Sequence, residues 1–283
     1  ENSSPLISNS VFEYSGQYGL FLLNSTSTIS QNVFNNNAES NSSVGLYGIG
    51  GAPTISNNQF IDNAQGLSFG SSAAVIDSNV FTGNSYLAVN YFGALMGYLS
   101  SNTGSGNAVN GIVIHESITQ TNSTSTLKAN GLPYLMNVPG TNIVASSTLV
   151  VDPRVVIKLS NVRLDVYGRL DVEGTNSNPV IFTSAYDDSD GNDMFNNGTS
   201  TGAVGNIQGI YMNDGATSHI SNAEFRYMNV GTSYNNSPID LNNVTYSYNK
   251  LGVAASLTET ILKADNVSFI GNTSTSTIPL ISP

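Results

Sequence analysis

The densest group of potential metal ligands in the sequence is an acidic run that directly follows a predicted strand. It reads Asp187-Asp188-Ser189-Asp190-Gly191-Asn192-Asp193. Carboxylate and amide oxygens arranged around a glycine turn are the ligands that Ca²⁺ prefers in proteins. The sequence therefore predicts a calcium site whose candidate ligands are Asp187, Asp188, Asp190, Asn192 and Asp193.

The calcium hypothesis has an alternative. An EF-hand loop ends on a bidentate Glu, and the corresponding region here reads Asn196-Asn197-Gly198-Thr199. Short loops between strands are often rich in Asp, Asn and Gly because these residues tolerate turn conformations. A solvated acidic loop without a metal is therefore the second interpretation of this run.

Two further carboxylates could take part in acid–base chemistry. Asp165 and Asp171 each follow an arginine by two residues, Arg163 and Arg169 respectively. Paired carboxylates that hydrolyse a glycosidic bond lie about 5 to 9.5 Å apart. Because all four residues share the alternation of a strand, we expect a cross-strand ladder of opposite charges rather than a catalytic pair.

The two histidines complete the set of candidate catalytic or metal-binding residues. His115 is followed by Glu116, and His219 is followed by Ile220. Neither histidine has the partner spacing of a zinc site or of a catalytic triad. We expect each to be a lone polar residue on a strand.

The elements that must position these residues are indicated by an imperfect repeat of 21 to 26 residues that recurs near both ends of the chain. The copies begin at Ile7, Ile29, Ile55, Ile76, Ile220, Leu241 and Ala264. A period near 22 residues that carries short apolar strands leaves no room for two helices per repeat. It predicts a solenoid of stacked β-strands, in which we call each circuit of the chain a rung.

Three columns of equivalent residues recur in these copies. They are the aromatics Phe12, Phe34, Phe60, Phe81, Phe225, Tyr246 and Phe269, the asparagines Asn37, Asn63, Asn84, Asn249 and Asn272, and the pairs Gly19-Leu20, Gly45-Leu46 and Gly66-Leu67. An aromatic column buries a large apolar area on every rung. An Asn in the left-handed conformation at a corner can bond the Asn above it, and Gly allows a tight bend.

The middle of the chain, residues 111–205, departs from the repeat but keeps short apolar runs separated by turn signals. The apolar run from Tyr86 to Leu99 predicts either a buried helix or a distorted pair of strands. The Ser-, Asn- and Gly-rich stretch 100–110 is the best candidate for a boundary. We therefore predict one β-helix segment at 1–105 and a second at 106–283, with atypical opening rungs at about 111–205 and regular rungs at 206–283.

Composition narrows the functional class. Asp, Glu, Lys and Arg make up 10% of the 283 residues, the formal net charge is −11, and there is no cysteine. A surface made soluble by uncharged polar residues favours an extracellular or cell-surface location over a cytosolic enzyme. All eight basic residues lie between Lys128 and Lys263, so we expect no nucleic acid partner. No apolar stretch approaches the roughly 18 residues of a membrane span.

On these residues the sequence resembles the right-handed parallel β-helix of the pectin-lyase-like superfamily. The stretch from Asn110 to about Tyr227, with Leu149-Val150-Val151-Asp152-Pro153 and Asn178-Pro179-Val180-Ile181-Phe182-Thr183-Ser184, resembles the segment that begins such a helix in large bacterial surface proteins. The resemblance implies an all-β, right-handed parallel β-helix. The period of 22 residues gives roughly a dozen rungs, in one segment or in two β-helical segments in tandem.

The sequence favours a non-catalytic extracellular structural or adhesive module of a large cell-surface protein, surface layer or filament. The ordered polygalacturonase-like set of Asn-Thr-Asp, Asp-Asp, His-Gly and Arg-Ile-Lys is missing. The alternative is a carbohydrate-active enzyme, such as a polysaccharide lyase or glycoside hydrolase, or a tailspike-like glycan-binding protein. For that alternative, exposed Tyr211, Tyr227, Tyr246 and Tyr248 are the candidate sugar-stacking residues.

Both ends of the chain read as strands rather than as caps. The first runs Ser4-Pro5-Leu6-Ile7-Ser8 and the last runs Ile278-Pro279-Leu280-Ile281-Ser282-Pro283. The open end of a β-helix exposes unpaired N–H and C=O groups. We therefore expect neighbouring β-helix modules or identical subunits, stacked end to end, as partners, with surface glycans as a further candidate.

Overall fold

The computed structural model describes residues 4–70, 73–92, 98–115, 117–256 and 262–276. Within these ranges the chain forms 30 β-strands and no α-helix. It divides into two compact units. Unit 1 comprises Glu1–His115, Lys128–Tyr134 and Gly191–Thr199, and unit 2 comprises Glu116–Leu127, Leu135–Asp190 and Ser200–Pro283.

Unit 1 holds the first 15 strands. They are β1 (Leu6–Ser8), β2 (Val11–Glu13), β3 (Tyr18–Ser25), β4 (Thr28–Ser30), β5 (Val33–Asn35), β6 (Val44–Gly51), β7 (Thr54–Ser56), β8 (Gln59–Ile61), β9 (Gln65–Gly70), β10 (Val75–Asp77), β11 (Val80–Thr82), β12 (Leu87–Phe92), β13 (Tyr98–Ser100), β14 (Thr103–Ser105) and β15 (Ile112–His115). Each rung places one strand in each of three parallel sheets.

The three sheets of unit 1 keep every repeat in register. One contains β1, β4, β7, β10 and β13, a second contains β2, β5, β8, β11 and β14, and a third row contains β3, β6, β9, β12 and β15. Ile29 pairs with Ile55 and Phe34 pairs with Phe60, so equivalent residues lie directly above one another. This alignment turns each sequence column into a physical stack.

The aromatic column of unit 1 is such a stack. Phe12, Phe34, Phe60 and Phe81 follow one another with ring centroids 4.8 to 4.9 Å apart and ring planes within 9° of parallel. Phe34, Phe60 and Phe81 are fully buried. The predicted interior Phe column is therefore confirmed, at the 4.7–4.9 Å spacing that adjacent strands impose.

Two buried asparagine ladders run beside the Phe stack. The predicted one contains Asn37, Asn63, Asn84 and Asn107, and the other, which the sequence analysis did not separate, contains Asn32, Asn58, Asn79 and Asn102. At each step the backbone N–H and the Nδ2 of one Asn both donate to the Oδ1 of the next; for Asn58 and Asn79 both distances are 3.0 Å. The same Nδ2 of Asn58 also donates to the carbonyl of Ile29.

The left-handed corner residue is the one before each ladder Asn, which corrects our prediction that the column Asn itself adopts that conformation. Asn36 has φ 55° directly before Asn37, and Asp62 has φ 51° directly before Asn63. The chain turns at the first residue, and the second points its amide inward. The next rungs place Gly83 and Gly106 at this corner, with φ 67° and 66°, where glycine avoids the steric cost.

The Gly-Leu column marks a close approach of backbones. A Cβ atom at Gly45 would lie 2.7 Å from the carbonyl oxygen of Gly66, and 3.1 Å from the Cβ of Phe34. Any side chain at this position would push apart the stacked rungs. Gly45 lies inside β6, so the close contact with the next rung, and not the tight bend that we predicted, requires glycine here.

Unit 2 holds the remaining strands, apart from the first residue of β17. They are β16 (Thr124–Leu127), β17 (Tyr134–Met136), β18 (Asn142–Ile143), β19 (Thr148–Val151), β20 (Val156–Leu159), β21 (Arg163–Val166), β22 (Arg169–Glu173), β23 (Val180–Ser184), β24 (Gly209–Met212), β25 (Thr217–Arg226), β26 (Val230–Asn235), β27 (Ile239–Ser247), β28 (Leu251–Ser256), β29 (Leu262–Ile270) and β30 (Ser274–Ser276).

Two rows of strands merge within unit 2. The first half of β25 pairs with β22, and its second half pairs with β23. The long strands β27 and β29 then follow β25 in parallel. Asn222, with φ 49°, bends β25 between its two halves. A separate sheet contains β18, β21, β24, β26, β28 and β30.

The core of unit 2 repeats the interior of unit 1 in a modified form. Phe182, Phe225, Tyr246 and Phe269 stack with centroids 4.8 to 5.5 Å apart. The backbone N–H of Asn249 donates to Oδ1 of Asn272, 2.7 Å away. The all-β parallel β-helix predicted from the sequence is thus confirmed, with about 11 turns against the dozen expected.

Three predictions from the sequence concern regions that the structure describes in part, does not describe, or does not test. The run from Tyr86 to Leu99 contains β12 and β13 rather than a helix in its described part, and residues 93–97 lie outside the described ranges. The terminal run 278–283 also lies outside them. The boundary after residue 105 stays a prediction, because the two compact units exchange segments along the sequence instead of meeting at one cut.

From the Asn ladder we predict that replacing a buried Asn lowers the free energy of unfolding far more than replacing an exposed Asn does. In Asn58→Ala the backbone N–H of Asn32 and the carbonyl of Ile29 both lose their partner. Each buried polar group left without a hydrogen-bond partner costs about 1–3 kcal/mol, so we expect the free energy of unfolding to fall by about 2 kcal/mol or more. Asn41→Ala, the same change at an exposed position, is the control. Urea unfolding measures both; equal midpoints would show that the ladder does not stabilise the fold.

From the Phe stack we predict that replacing a buried phenylalanine destabilises the protein far more than replacing an exposed one does. Phe60→Ala removes a fully buried ring between two others, and we expect it to cost about 3–5 kcal/mol. Phe21→Ala removes a ring that is 48% exposed, and we expect a change within about 1 kcal/mol. Thermal melts of the two variants and the parent provide the test. A Phe60→Ala protein that melts with the parent would contradict the register.

Candidate functional site

The acidic run predicted as a calcium site lies partly in each compact unit. Asp187, Asp188 and Asp190 follow β23 in unit 2, whereas Asn192 and Asp193 belong to unit 1. The first three residues surround two cationic side chains of unit 2, Lys158 and Arg226. We call these five residues, together with Glu224, the charge cluster.

Asp187 is fully buried at the centre of the charge cluster. Its Oδ2 accepts a hydrogen bond from the Thr183 hydroxyl at 2.6 Å, and its Oδ1 accepts from the Ser189 hydroxyl at 2.6 Å. The guanidinium Nη1 of Arg226 lies 3.6 Å from Oδ2. Burial of a carboxylate is tolerated only when such partners replace water, and Asp187 has them on both oxygens.

Lys158 provides the second positive charge from inside the β-helix. It lies on β20 and is fully buried, and its Nζ donates to the backbone carbonyl of Asp187 at 2.7 Å. The same Nζ lies 3.8 Å from Oδ1 of Asp188. Oδ2 of Asp188 accepts hydrogen bonds from the backbone N–H and the hydroxyl of Ser200, at 2.8 and 2.6 Å. Lys158 thus fixes the loop through both its backbone and its charge.

Arg226, the last residue of β25, closes the charge cluster. Its Nη1 donates to Asp190 and its Nη2 donates to Glu224, each at 2.6 Å. Glu224 in turn accepts from the Ser247 hydroxyl at 2.6 Å. Burial by itself lowers the pKa of Arg226, but the hydrogen bonds and charges of Glu224 and Asp190 outweigh it and raise the pKa. The guanidinium therefore remains charged.

The other two predicted ligands have protein partners within unit 1. Asn192 donates its Nδ2 to the carbonyl of Gly131 at 3.0 Å. The two carboxylate oxygens of Asp193 accept the backbone N–H groups of Asn197 and Gly198, at 3.2 and 2.8 Å. The Asp193 carbonyl accepts from Nδ2 of Asn110, which ends one Asn ladder. These contacts shape a loop that closes the ladder.

The described residues contain no group of three or more His, Cys, Asp or Glu side chains positioned to hold one metal ion. In the charge cluster, four carboxylates face two cations, so the local charge stays negative. Such an excess of negative charge is the condition under which a bound cation stabilises a loop. Calcium binding by this loop therefore stays a prediction, and Lys158 and Arg226 are the residues that the sequence analysis missed.

The structure separates the other candidate carboxylates. Asp165 lies on β21 and Asp171 lies on β22, and these strands belong to different sheets. Arg163 Nε donates to Asp165 at 2.9 Å, and Arg169 Nε donates to Asp171 at 2.8 Å. Our prediction of a cross-strand ladder is wrong, because each ion pair forms within one strand between residues two positions apart. The chain turns between the two pairs, so the four residues do not share one face.

His219 has a partner that the sequence did not indicate. Its Nδ1 lies 3.1 Å from Oδ2 of Asp240 on the neighbouring strand β27, so it is not a lone polar residue. The pair borders a groove of about 590 Å³ that is also lined by Leu241, Leu262 and Lys263. The groove is within the size range of ligand pockets. His115 ends β15, where it pairs with Phe92, and Glu116 lies outside the described residues.

The tyrosines predicted as sugar-stacking residues differ in exposure. Tyr246 is fully buried in the aromatic core, so its predicted exposure is wrong. Tyr211 is half-buried, and the guanidinium of Arg163 lies over its ring at 5.0 Å. Tyr227 and Tyr248 stack on each other with centroids 5.7 Å apart, and Tyr248 is the more exposed of the two. The last two rings are the ones available to a ligand.

The comparisons with known proteins agree with this architecture. Residues 1–131 match the family described as the right handed beta helix region. The match and the parallel solenoid are consistent with the pectin-lyase-like superfamily. No curated protein and no solved structure matches this chain. In the part of the chain that the structure describes, no helix is long and apolar enough to cross a membrane.

We predict that Arg226 in the charge cluster contributes far more to the free energy of unfolding than a surface arginine does. Arg226→Gln leaves Asp187, Asp190 and Glu224 without their shared cation, and we expect a loss of about 3 kcal/mol. Arg163→Gln breaks an exposed ion pair and should cost about 1 kcal/mol or less. Urea unfolding of both variants at neutral pH is the measurement. Equal losses would mean that Arg226 is not the centre of a charge network.

The same proteins test the calcium prediction. If the loop binds calcium, the melting temperature of the parent rises with millimolar CaCl₂, because a ligand that binds only the folded state stabilises it. The rise should disappear in Asp190→Ala. An unchanged melting temperature in the parent would leave Lys158 and Arg226 as the only counter-charges of this loop.

Proposed function

We propose that this right-handed β-helix is a non-catalytic structural or adhesive module of a large extracellular surface protein or filament. The observation that carries the proposal is the interior of the solenoid. The three rungs of unit 1 that carry Phe34, Phe60 and Phe81 each commit this ring and two Asn side chains to contacts with neighbouring rungs. Such ladders stabilise a solenoid through neighbouring repeats and make it stiff along its axis.

The chemistry of the polar groups supports a non-catalytic role. Arg163 and Arg169 are each bonded to the carboxylate two residues away. The carboxylates of the charge cluster accept bonds from serines, a threonine and an arginine, which occupy the positions that a reacting group would need. A general acid or base must be free to reach the proton that it transfers. The described ion pairs instead join residues within one strand, as in Arg163 with Asp165, or hold the acidic loop against β20 and β25.

The surface composition supports an extracellular location. Only 10% of the residues are Asp, Glu, Lys or Arg, and Ser, Thr, Asn and Gly supply most of the polar character. A regular parallel ladder needs no disulfide for stability, which fits the absence of cysteine in an exported protein. These features suit a passive, solvated element that displays its faces to other molecules.

The outermost described rung suggests the partner. Strands β1 and β2 each pair on one side only, with β4 and β5. Leu6 on β1 and Val11 on β2 are exposed apolar residues on this edge. A parallel solenoid extends by adding strands in the same register, so a further rung can pair with β1 and β2. We propose a neighbouring β-helix module or an identical subunit as the occupant of this edge.

A panel of neutral and acidic polysaccharides tests the non-catalytic role. We expect no release of reducing ends and no unsaturated product after prolonged incubation with the purified protein. Turnover on any polysaccharide would contradict the proposal in favour of an enzyme. Asp240→Asn is the matched variant, because it removes the charged partner of His219 from the groove. Activity that this variant abolishes would assign the chemistry to that groove.

A further inference from the structure

A partly exposed group of aromatic rings lies on the third strand row of unit 1. It consists of Tyr18 and Phe21 on β3, Tyr47 on β6 and Phe92 on β12, and we call it the aromatic face. Phe21 pairs in register with Tyr47, and Phe92 pairs with Gly70. Phe21 is 48% exposed. Phe21, Tyr47 and Phe92 alternate with inward residues of their strands, such as the buried Leu46 and Tyr91, and therefore lie on the outward side.

Tyr47 is the centre of the aromatic face. Its ring centroid lies 4.7 Å from Tyr18, 5.7 Å from Phe21 and 6.0 Å from Phe92, and all three neighbours are within 23° of parallel to it. Burial raises the pKa of Tyr47, and the neighbouring Tyr18 adds to the rise. The Tyr47 hydroxyl therefore stays protonated and can donate a hydrogen bond.

The strand between Tyr47 and Phe92 has small residues that let these rings meet. Phe92 stands one strand beyond β9, yet its ring covers Gly70 of β9: a Cβ atom at Gly70 would lie 2.2 Å from Cε2 of Phe92. Ser68 is the other outward residue of β9, and it pairs in register with Tyr47. Any larger residue at position 70 would displace the Phe92 ring. The aromatic face is thus built across four strands rather than by one local pair.

Neutral polar groups border the rings. The Asn90 Nδ2 donates to the Ser68 hydroxyl at 3.0 Å, and the Asn90 Oδ1 has no hydrogen-bond partner among the described residues. The Tyr18 hydroxyl accepts from Gln17 at 3.3 Å. These amides and hydroxyls lie in the same columns as the rings, because Ser68 pairs with Asn90. Ser68 and the Oδ1 of Asn90 are buried beside the rings, so the exposed polar groups of the face are the tyrosine hydroxyls and the Gln17 amide.

The charge of this part of the chain restricts the ligand. No Lys or Arg precedes Lys128 in the sequence, whereas Glu39 and Asp62 are both in unit 1. The strands β3, β6, β9 and β12 hold no Lys or Arg, so a phosphate, sulfate or uronate group would find no counter-charge on them. An uncharged ligand that offers both C–H surface and hydroxyl groups is complementary to aromatic rings bordered by amides.

We propose that the aromatic face binds neutral glycans by stacking pyranose rings on Tyr18, Phe21, Tyr47 and Phe92. The inference rests on the proposed adhesive function and gives that function a ligand class and a site. The C–H face of a neutral hexose covers an aromatic ring, and its hydroxyls bond to the hydroxyls of Tyr18 and Tyr47. The site is on the outer surface of the sheet, separate from the charge cluster and from the His219 groove.

Isothermal titration with neutral oligosaccharides tests the site. The probes are cellohexaose, laminarihexaose and mannohexaose, with hexagalacturonate as the acidic comparison. We expect the parent to bind at least one neutral probe and to bind hexagalacturonate more weakly. In Tyr47→Ala the loss of the central ring should weaken binding about tenfold, as the removal of one aromatic contact does. Phe21→Ala, in which an exposed ring is lost, should weaken it as well.

Tyr167→Ala is the matched control, because it removes a 47% exposed tyrosine from unit 2 that belongs to no candidate site and leaves the aromatic face intact. It should bind like the parent. Melting curves of the three variants show whether each is folded. If Tyr47→Ala does not fold, the binding of Phe21→Ala is the test of the proposal. Failure of all neutral probes to bind at millimolar concentration, or equal binding by parent and Phe21→Ala, would overturn the proposal.

Other outcomes separate this inference from the function on which it rests. Cleavage of a bound probe would contradict the non-catalytic role. Absence of binding without cleavage would overturn the glycan site and leave the structural module standing. If sizing shows a dimer that Phe21→Ala and Tyr47→Ala abolish while no probe binds, a second copy of the chain covers the aromatic face and the glycan proposal is wrong.

Discussion

The fold depends on how each rung satisfies its backbone at the corners. A chain that turns sharply between two parallel strands leaves N–H and C=O groups that neither sheet can pair, and burying such groups is costly. The ladder Asn solves this with one side chain. Its Oδ1 accepts both the backbone N–H and the Nδ2 of the Asn on the preceding rung, and its own Nδ2 donates to a backbone carbonyl of that same preceding rung. Asp lacks the donors and would stack like charges, and Ser lacks the second donor. Asn is therefore the side chain that fits this corner on successive rungs.

The same constraint explains why the two units differ. In unit 1 two Asn ladders mark two corners of the rung, and a left-handed residue stands directly before each ladder Asn. In unit 2 one corner is relaxed, and β25, β27 and β29 run through left-handed Asn222, Asn243 and Asn266 without a break. These asparagines bond to one another through their side chains nearer the surface. The Phe stack persists in both units because parallel strands keep a fixed spacing whatever the form of the corner.

Much of the fold could be predicted from the sequence, since the repeat is local. The Phe column and one Asn column follow from counting residues, because in-register stacking converts a sequence period into a spatial one. The site residues could not be predicted in this way. Lys158 contacts a loop 29 residues further on, and His219 contacts Asp240 on the next strand. Such partners depend on loop lengths between rungs, which the repeat does not determine. A lysine within the apolar run Val155-Val156-Ile157-Lys158-Leu159 was the available signal of a buried charge.

Function on such a scaffold is located in the outward columns, because the inward ones are already occupied. Residues alternate between the two faces of a strand, so an outward residue can change without disturbing the ladders beneath it. In unit 1 the outward positions of the third strand row hold aromatic rings and uncharged amides, while β22, β25 and β27 of unit 2 present Asp171, His219 and Asp240. One interior design thus supports two chemically different surfaces. That independence is what a display module requires, since the stiffness comes from side chains that no ligand touches.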